Sequence, residues 1–398
     1  MSTPTTTTTG YRAVLQVAGM RNIFVAHAVS MAGTVAAQVA LSILIFERTG
    51  SPLLSALVLV CAFLPYALGG IALSSISDRF PARRVLVCSD LISAGCIALM
   101  LIPGLPVGAL LGLLLLTGIV APIFAGARAA SLAQLLPADL FPIGRSLLRA
   151  IGQLTVLMGF GLGAIAVAAL GPTLLLALDV ATFVASAALI GLGTPFTPAV
   201  GTTGGTVQDS LSGLKYLLSN VRLRRLIVLS WVVPAFSSMP DGLAVAYTAQ
   251  TGAAATAAGA LFTGYAVGSV LGELAATRLE PSTRRRLVVP LILLSQLPAI
   301  AFVATPGIAL AAVLLAISGS GYAFNQGIDP LILAAIDPAY RGRLFTVQTS
   351  GLMAIQGVSI ALAGAIGTVI RPGLTICLAG VVGAVVTMLL ARRALSEN

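Results

Sequence analysis

Apolar runs long enough to cross a lipid bilayer recur down the whole chain and leave room for little else. A membrane helix needs about 20 consecutive apolar residues. Twelve such stretches are legible, at about 22–46, 52–77, 85–103, 106–130, 146–170, 173–193, 226–249, 256–278, 287–304, 307–333, 344–369 and 373–391. Helix-ending clusters separate them, among them Pro103-Gly104-Leu105-Pro106, Gly171-Pro172, Thr305-Pro306-Gly307 and Arg371-Pro372. Twelve helices use about 240 residues, and the remainder of the 398 suits short loops, whereas fourteen would use about 280 and crowd them. Only 9% of the residues are charged, where a soluble domain carries about a quarter. The expected class is an all-α integral membrane protein with twelve transmembrane helices and little mass outside the bilayer.

Arginine and lysine fix the expected orientation, because cytoplasmic loops collect them. With the N-terminus inside, 20 of the 22 basic residues fall on the cytoplasmic side, leaving Arg48 and Arg371 outside. A missed or extra span midway would scramble that asymmetry. Both termini are therefore expected in the cytoplasm of a multi-pass protein of the plasma (inner) membrane. Residues 1–20, opening on a threonine-rich stretch, read as a disordered tail. Residues 21–193 read as an N-terminal six-helix bundle and 226–391 as a C-terminal one. The linker at 194–225 includes an amphipathic segment, Asp209 to Leu223, and 392–398 form a short cytoplasmic tail.

Several function classes drop out. The net charge of +10 comes from arginines flanking apolar runs, so orientation in the membrane explains it better than nucleic acid does. The single lysine, Lys215, stands in Gly213-Leu214-Lys215-Tyr216, so there is no phosphate-cradling Gly-Lys-Ser/Thr loop. One histidine, His27, and four cysteines, Cys61, Cys88, Cys96 and Cys377, form no metal-ligand pattern. The cysteines lie in apolar runs, where free thiols act as small hydrophobes. No nucleophile–base pair points to an enzyme, and no cofactor is expected beyond a proton gradient as energy source.

The two halves of the chain repeat. Phe63-Leu64-Pro65-Tyr66-Ala67-Leu68-Gly69 matches Phe262-Thr263-Gly264-Tyr265-Ala266-Val267-Gly268 at an offset of 199, which also sets Arg79 on Arg278. At an offset of 201, Gly126-Ala127-Arg128 lies over Gly327-Ile328-Asp329 and Pro137 over Pro338. Spans 2 and 8, and spans 4 and 10, are counterparts. Two six-helix pseudo-repeats joined by a longer loop suit rocking about a central site.

The loop after span 2, Ser74-Ser75-Ile76-Ser77-Asp78-Arg79-Phe80-Pro81-Ala82-Arg83-Arg84, is similar to the Gly-x-x-x-Asp-Arg…Arg-Arg signature of the major facilitator superfamily. More narrowly, the chain resembles the superfamily's twelve-span drug–proton antiporter branch, which includes macrolide exporters. Glu47-Arg48-Thr49-Gly50-Ser51-Pro52, Gly213-Leu214-Lys215-Tyr216-Leu217-Leu218, Asp179-Val180-Ala181-Thr182-Phe183 and Arg341-Gly342-Arg343 carry that resemblance. Ser74 stands for the signature's first glycine, and Gly159-Phe160-Gly161-Leu162-Gly163 lacks the proline that antiporters carry in span 5. The resemblance implies a major facilitator fold and a gating role for Asp78, Arg79, Arg83 and Arg84. Asp78 would then make its state-dependent contact with span 11, whose start follows Arg343.

Ionisable residues inside spans are costly and default to functional candidates. His27, Asp90, Arg128, Glu273 and Asp329 fall in the inner third. Asp90, Arg128, Glu273 and Asp329 are inner-gate candidates, each with a plainer reading as a structural ion pair, and His27 reads equally as a packed side chain. Asp179 and Asp241 fall in the outer third with no basic residue at matching depth. Such carboxyls can carry a proton, which makes them the candidates for proton coupling. The midplane holds Gln38, Ser237 and Gln356 among small and apolar neighbours, and these are the substrate-cavity candidates. Trp231 and the other aromatic residues read as packing. A charge-poor midplane fits a hydrophobic or weakly polar small molecule. The expected function is secondary active transport, proton-coupled export of a drug or natural product by a monomer in the lipid bilayer. The alternatives are uptake, flipping of a lipid-like molecule, or a transporter-like sensor that moves nothing.

Overall fold

A computed structural model describes residues 11–72, 80–137, 140–196, 214–337 and 341–395. Among them every regular element is helical. After the short α1 (Tyr11–Gln16) come α2 (Met20–Thr49), α3 (Pro52–Ala72), α4 (Ala82–Met100) and α5 (Val107–Leu135). Next are α6 (Phe141–Gly193), α7 (Val221–Ser237), α8 (Met239–Gln250) and α9 (Ala258–Thr277). The chain continues through α10 (Pro281–Arg286), α11 (Val288–Gln296), α12 (Ile308–Ser320), α13 (Asn325–Ala335), α14 (Arg341–Ile366) and α15 (Pro372–Leu395).

Helix underlies each of the twelve expected stretches, and the departures have local causes. Spans 5 and 6 run on as α6 but turn at Gly171, whose φ of 76° and ψ of 160° are non-helical and which precedes Pro172. Span 7 is divided between α7 and α8 at Ser238, between Pro234 and Pro240, which lack the N–H a helix interior needs. Span 9 tightens after Gln296 into a 3-10 helix, Leu297–Ala304, with Pro298 in its first turn. Span 10 passes from α12 to α13 through a 3-10 turn, Gly321–Phe324. Of the expected amphipathic linker, residues 214–219 are helical and Asn220 caps α7 by accepting from the Leu223 amide. Residues 209–213 of that segment, like Asp78 and Arg79, lie outside the described residues.

The outer surface is apolar. Leu192 is 90% exposed, Val369 88% and Ile165 66%, an arrangement that lipid tails solvate and water does not. Eight helical segments among the described residues are long and apolar enough to cross a membrane, including Met20–Thr49, Val107–Leu135 and Pro372–Leu395. In lipid no hydrophobic force presses helix on helix, so close approach depends on small residues. A Cβ on Gly264, Gly268 or Gly272 of α9 would run into the backbone of Ala312, Ala316 and Ser320 on α12. In the first half, Gly118 of α5 presses on the Cys61 carbonyl of α3. Gly319 of α12 presses likewise on the Tyr265 carbonyl. Gly118 and Gly319 are separated by the 201-residue offset read in the sequence, so the counterpart spans pack through counterpart glycines.

One apolar cluster joins the two halves of the chain. Val39, Ala40 and Ile43 of α2, Ala56, Leu59 and Val60 of α3, and Val167 and Leu175 of α6 meet residues of α8, α9 and α14. Leu243, Tyr247, Leu261, Phe262, Ile360 and Ala363 are the second half's share. This plug lies at the end of the molecule that carries the 50–51 turn, the expected outside. At the opposite end the buried clusters keep to one half each. Met20, Ile23, Phe24 and Leu132 form one, Val85, Leu86, Ala127 and Ile190 another, and Leu223, Ile227, Phe324, Ile328 and Leu344 belong to a third. Among the described residues, the halves share a core at one end and have separate cores at the other.

Candidate functional site

The elements that build the plug also carry uncharged polar groups. On α2, Gln38 precedes the plug residue Val39, and on α14 Gln356 stands one turn before Ile360; both are half-buried. On α7, Ser237 is 4% exposed at the break in span 7. Its hydroxyl donates to the Pro234 carbonyl at 3.4 Å and lies 3.4 Å from the Tyr265 hydroxyl on α9. Tyr265 follows the plug residue Phe262 by three positions. Of the expected cavity residues, Ser237 has a side-chain partner beside the plug, the Tyr265 hydroxyl, while Gln38 and Gln356 stand half-buried on elements that also build the plug.

Asp241 stands at the start of α8, half-buried, and is an electrostatic neighbour of Tyr265, which also neighbours Tyr322. Tyr322 in turn lies in the field of Glu273 and Asp329 and packs edge-on against Phe324 at 6.1 Å. Glu273 is half-buried on α9, and Asp329 is exposed on α13. Asp241, Glu273 and Asp329 thus share a set of phenols in the second half. Sequence reading passed over Tyr265 and Tyr322 as packing. Its one usable signal was Tyr265's place in the repeated motif, opposite Tyr66.

The first half gathers the other charges. Arg128 donates to Nδ1 of His27 at 2.5 Å and sits 5.5 Å over the Phe124 ring. Asp90 is 2% exposed, accepts from the Ser186 hydroxyl at 2.6 Å, and has Arg128 as an electrostatic neighbour. His27, at 7% exposure, is a packed residue of this cluster. Four helices, α2, α4, α5 and α6, are pinned there by one buried polar group.

Asp179 lies elsewhere. It is 1% exposed, within the first half, where α6 passes the α2 glycine Gly33. A Cβ on Gly33 would sit 2.5 Å from Asp179 Oδ1, so the missing side chain is what makes room for the carboxyl. Thr182 donates to Oδ1 at 3.1 Å, and Oδ2 has no hydrogen-bond partner among the described residues. The two expected coupling residues are therefore not equivalent in surroundings. Asp241 neighbours the Tyr265 phenol, and Asp179 is buried between two helices of one half.

The arginines of the span 2–3 loop that are described serve as anchors. Arg83 donates to the Gly191 carbonyl near the end of α6, and Arg84 lies 5.7 Å over the Phe196 ring. Trp231 on α7 donates through Nε1 to the Gln348 carbonyl at 2.8 Å and fills the space above Gly351, tying α7 to α14 as the packing reading expected. Among the described residues no group of three or more His, Cys, Asp or Glu side chains is arranged to hold a metal.

Known structures share this architecture. A bacterial homologue of the human lysosomal transporter Spinster, in an inward-facing and unoccupied conformation, superposes with a TM-score of 0.66 at 12% identity, over 94% of each chain. The nucleoside transporter NupG gives 0.67 at 15% identity, over 94% of this chain and 99% of its own. A POT family transporter in complex with a thioalcohol-conjugated peptide gives 0.70 at 11% identity, over 95% and 97%. No curated protein sequence matches the chain. The sequence profile of the Major Facilitator Superfamily matches residues 23–250, more than half of the chain. With that match over more than half of its length, a helix under each expected span, and counterpart glycines packing counterpart spans, this protein belongs to the Major Facilitator Superfamily of membrane transporters, whose members are not enzymes.

Proposed function

We propose that this transporter exports a hydrophobic or weakly polar small molecule in exchange for protons, by alternating access. The observation that supports the reading is the uncharged Ser237–Tyr265 hydroxyl pair beside an apolar plug whose elements also carry Gln38 and Gln356, half-buried and uncharged. Such a lining rewards apolar area and a few hydrogen bonds, and offers no cation clamp for an organic anion. In the proposed topology both termini face the cytoplasm of the plasma (inner) membrane, the plug closes the outside, and the cavity is open inward. Residues 21–193 and 226–391 act as two six-helix bundles that rock about a central site, with 194–225 as the connection between them. Asp78 and Arg79 form the inner gate with span 11, while Arg83 and Arg84 hold α4 to α6.

Asp179 and Asp241 are the proposed proton carriers. A carboxyl with a buried oxygen that accepts no hydrogen bond, or one beside a phenol and a cargo surface, is a place to take up and release a proton during the cycle. Asp→Asn fixes the uncharged form. The test is a vesicle assay with an imposed pH gradient and a lipophilic fluorescent dye as cargo. Wild-type protein should move the dye against its gradient. The coupling mutant, Asp179→Asn or Asp241→Asn, should lose that while still binding dye and exchanging it across the membrane without a gradient. Full gradient-driven transport by both mutants removes both from the coupling role, and the inner group of Asp90, Glu273 and Asp329 takes their place. A wild-type protein that binds dye but never moves it would make the chain a sensor rather than a transporter.

A further inference from the structure

Span 9 changes its winding partway along. α11 ends at Gln296, and the next eight residues, Leu297–Ala304, form a 3-10 helix. Runs of that kind beyond three or four residues are uncommon, and inside a helical span they mark a hinge or a sequence under strain. The cause of this one lies at Ser295. A 3-10 helix pairs each carbonyl with the amide three residues on, and for Ser295 that residue is Pro298, which has no N–H. The Ser318 hydroxyl of α12 takes the missing donor's place, 2.5 Å from the Ser295 carbonyl oxygen, and both serines are buried. In an α-helix the same carbonyl pairs with the amide four residues on, which is Ala299, and needs nothing from α12.

The inner end of the run is pinned, and its outer end belongs to the plug. Gln296, buried as well, donates through Nε2 to the Val233 carbonyl of α7 at 3.1 Å and to the Ser295 hydroxyl at 3.0 Å. Beyond it, Ala299 and Phe302 are members of the apolar cluster that joins the halves. The Phe302 ring stands 5.0 Å from that of Tyr247 on α8, and the Tyr247 hydroxyl donates to the Pro306 carbonyl at 2.6 Å. α8 in turn brings Gly242 against Ala56 of the first half. Through Tyr247, the outer end of span 9 therefore positions a helix on which the contact between halves depends. Eight residues rise about 16 Å as a 3-10 helix and about 12 Å as an α-helix. With Gln296 fixed, rewinding would draw Pro306 inward by about 4 Å and, at about 20° per residue, turn Phe302 by about 120° away from Tyr247.

We propose that Ser318 is a positioning residue for the outer closure: its hydroxyl holds span 9 in the 3-10 form that seats Phe302 and Tyr247 in the plug, and the plug opens when this segment rewinds to an α-helix. The choice between forms turns on one carbonyl, which takes its hydrogen bond from α12 in the first and from its own helix in the second. This rests on the plug being the outer closure, and on neither the cargo nor the coupling ion.

The test uses the full-length protein in nanodiscs, in a background without the four native cysteines, with two pairs of spin labels. Ser282 and Thr305, both exposed, bracket span 9. Thr49 at the end of α2 and Thr256 just before α9 bracket the plug. Ser318→Ala leaves the Ser295 carbonyl unsatisfied in the 3-10 form alone, and should raise the ratio of rewound to 3-10 form by roughly 5- to 150-fold. Pulsed EPR should then show a population shorter by about 4 Å for the first pair and a longer one for the second. Ser318→Thr keeps a hydroxyl and should restore the parent distributions. Ser318→Val has the shape of threonine without the hydroxyl; it should behave as the alanine variant does, and replaces it if that protein does not fold. Ser320→Ala, which removes a hydroxyl bonded to the Ile317 carbonyl of its own helix, should leave both pairs unchanged. If the alanine and valine variants lower the melting temperature and move neither distance, Ser318 is a structural residue only and the proposal falls. A shorter first pair with an unmoved second pair overturns it too, because span 9 then rewinds without opening the plug. Gly364→Ala, which crowds the plug directly, separates this failure from that of the closure itself. If it lengthens the second pair where the Ser318 variants do not, the plug opens without span 9; if neither lengthens it, the plug is not the outer closure.

Discussion

Gly364→Ala should drive the two halves apart at the plugged end. A Cβ at this position on α14 would lie 2.7 Å from the Ala56 Cβ, 3.1 Å from the Leu53 Cα and 3.3 Å from the Pro52 carbonyl oxygen. All three atoms belong to α3 or to its rigid first Cβ, so no side chain can rotate away. Relief requires α3 and α14 to separate, and overpacking of this kind costs about 1–3 kcal/mol. The cost falls on the state in which the halves meet here and vanishes in a state in which they do not. A difference of that size changes the ratio of two states by roughly 5- to 150-fold. Spin labels at Thr49 on α2 and at Thr256 in the short 3-10 turn Ala255–Ala257, which touches α2, report the separation. Pulsed EPR on the Gly364→Ala protein should show a longer-distance population absent or minor in the parent. Gly112→Ala is the control, because a Cβ there meets nothing within 4 Å. If Gly364→Ala leaves the distance distribution unchanged and only lowers the melting temperature, the contact persists in every state, and the plug is not the moving joint.

Further perturbations probe the halves separately. Ser186→Ala removes the hydroxyl that donates to Asp90 at 2.6 Å and should cost about 1–3 kcal/mol in a thermal melt, with Ser186→Thr recovering most of it. Gly268→Ala would push a methyl group into the Ala316 carbonyl and should destabilise by about 1–3 kcal/mol, while Gly112→Ala stays near the parent. In a background without the four native cysteines, Ser282→Cys and Thr305→Cys should react with an impermeant thiol reagent from opposite sides of the membrane; labelling of both from one side would break the twelve-span topology.

Much of the fold was legible because lipid simplifies the problem. A segment must satisfy its own backbone hydrogen bonds, so length and apolarity alone locate helices, and Gly171-Pro172 marks the turn inside α6. The internal kinks were harder. Ser238 and the 3-10 segment after Gln296 lie inside apolar runs, and Pro234, Pro240 and Pro298 show where a helix can yield but not how it does so. For the site, depth along a helix is readable at about 1.5 Å per residue, and it set Gln38, Ser237 and Gln356 near one another's level. Rotation about the helix axis is not readable in the same way when every face is apolar. That is why Asp179 and Asp241, at similar depth, differ in surroundings, and why Tyr265 and Tyr322 were taken for packing. The vacancy at Gly33 that admits the Asp179 carboxyl belongs to another helix, and no spacing rule within span 6 announces it.

The distribution of directional and non-directional contacts bears on how such a molecule could move. Among the described residues, the long-range side-chain hydrogen bonds found lie within a half. Arg83 holds Gly191 and Ser186 holds Asp90 in the first half, while Trp231 holds Gln348, Tyr247 holds Pro306 at 2.6 Å, and Gln250 accepts from the Gly373 amide at 2.8 Å in the second. Where the halves meet, the contact is apolar, the plug's branched and aromatic side chains surrounding a close approach in which Ala56 faces both Gly242 and Gly364. Breaking a buried hydrogen bond leaves a donor or acceptor unsatisfied at about 1–3 kcal/mol, a penalty with no counterpart when two apolar surfaces part and lipid or cargo takes the space. The joint can therefore part without leaving a hydrogen-bonding group unsatisfied, while deforming either half would leave one. A charge change inside one half, at Asp179 behind Gly33 for instance, can act on the joint only by reshaping that half as a unit. Asp241, next to the Tyr265 phenol, can act on cargo directly, and that difference gives the two aspartate variants distinct expected signatures: altered state populations without cargo for Asp179→Asn, altered cargo affinity for Asp241→Asn.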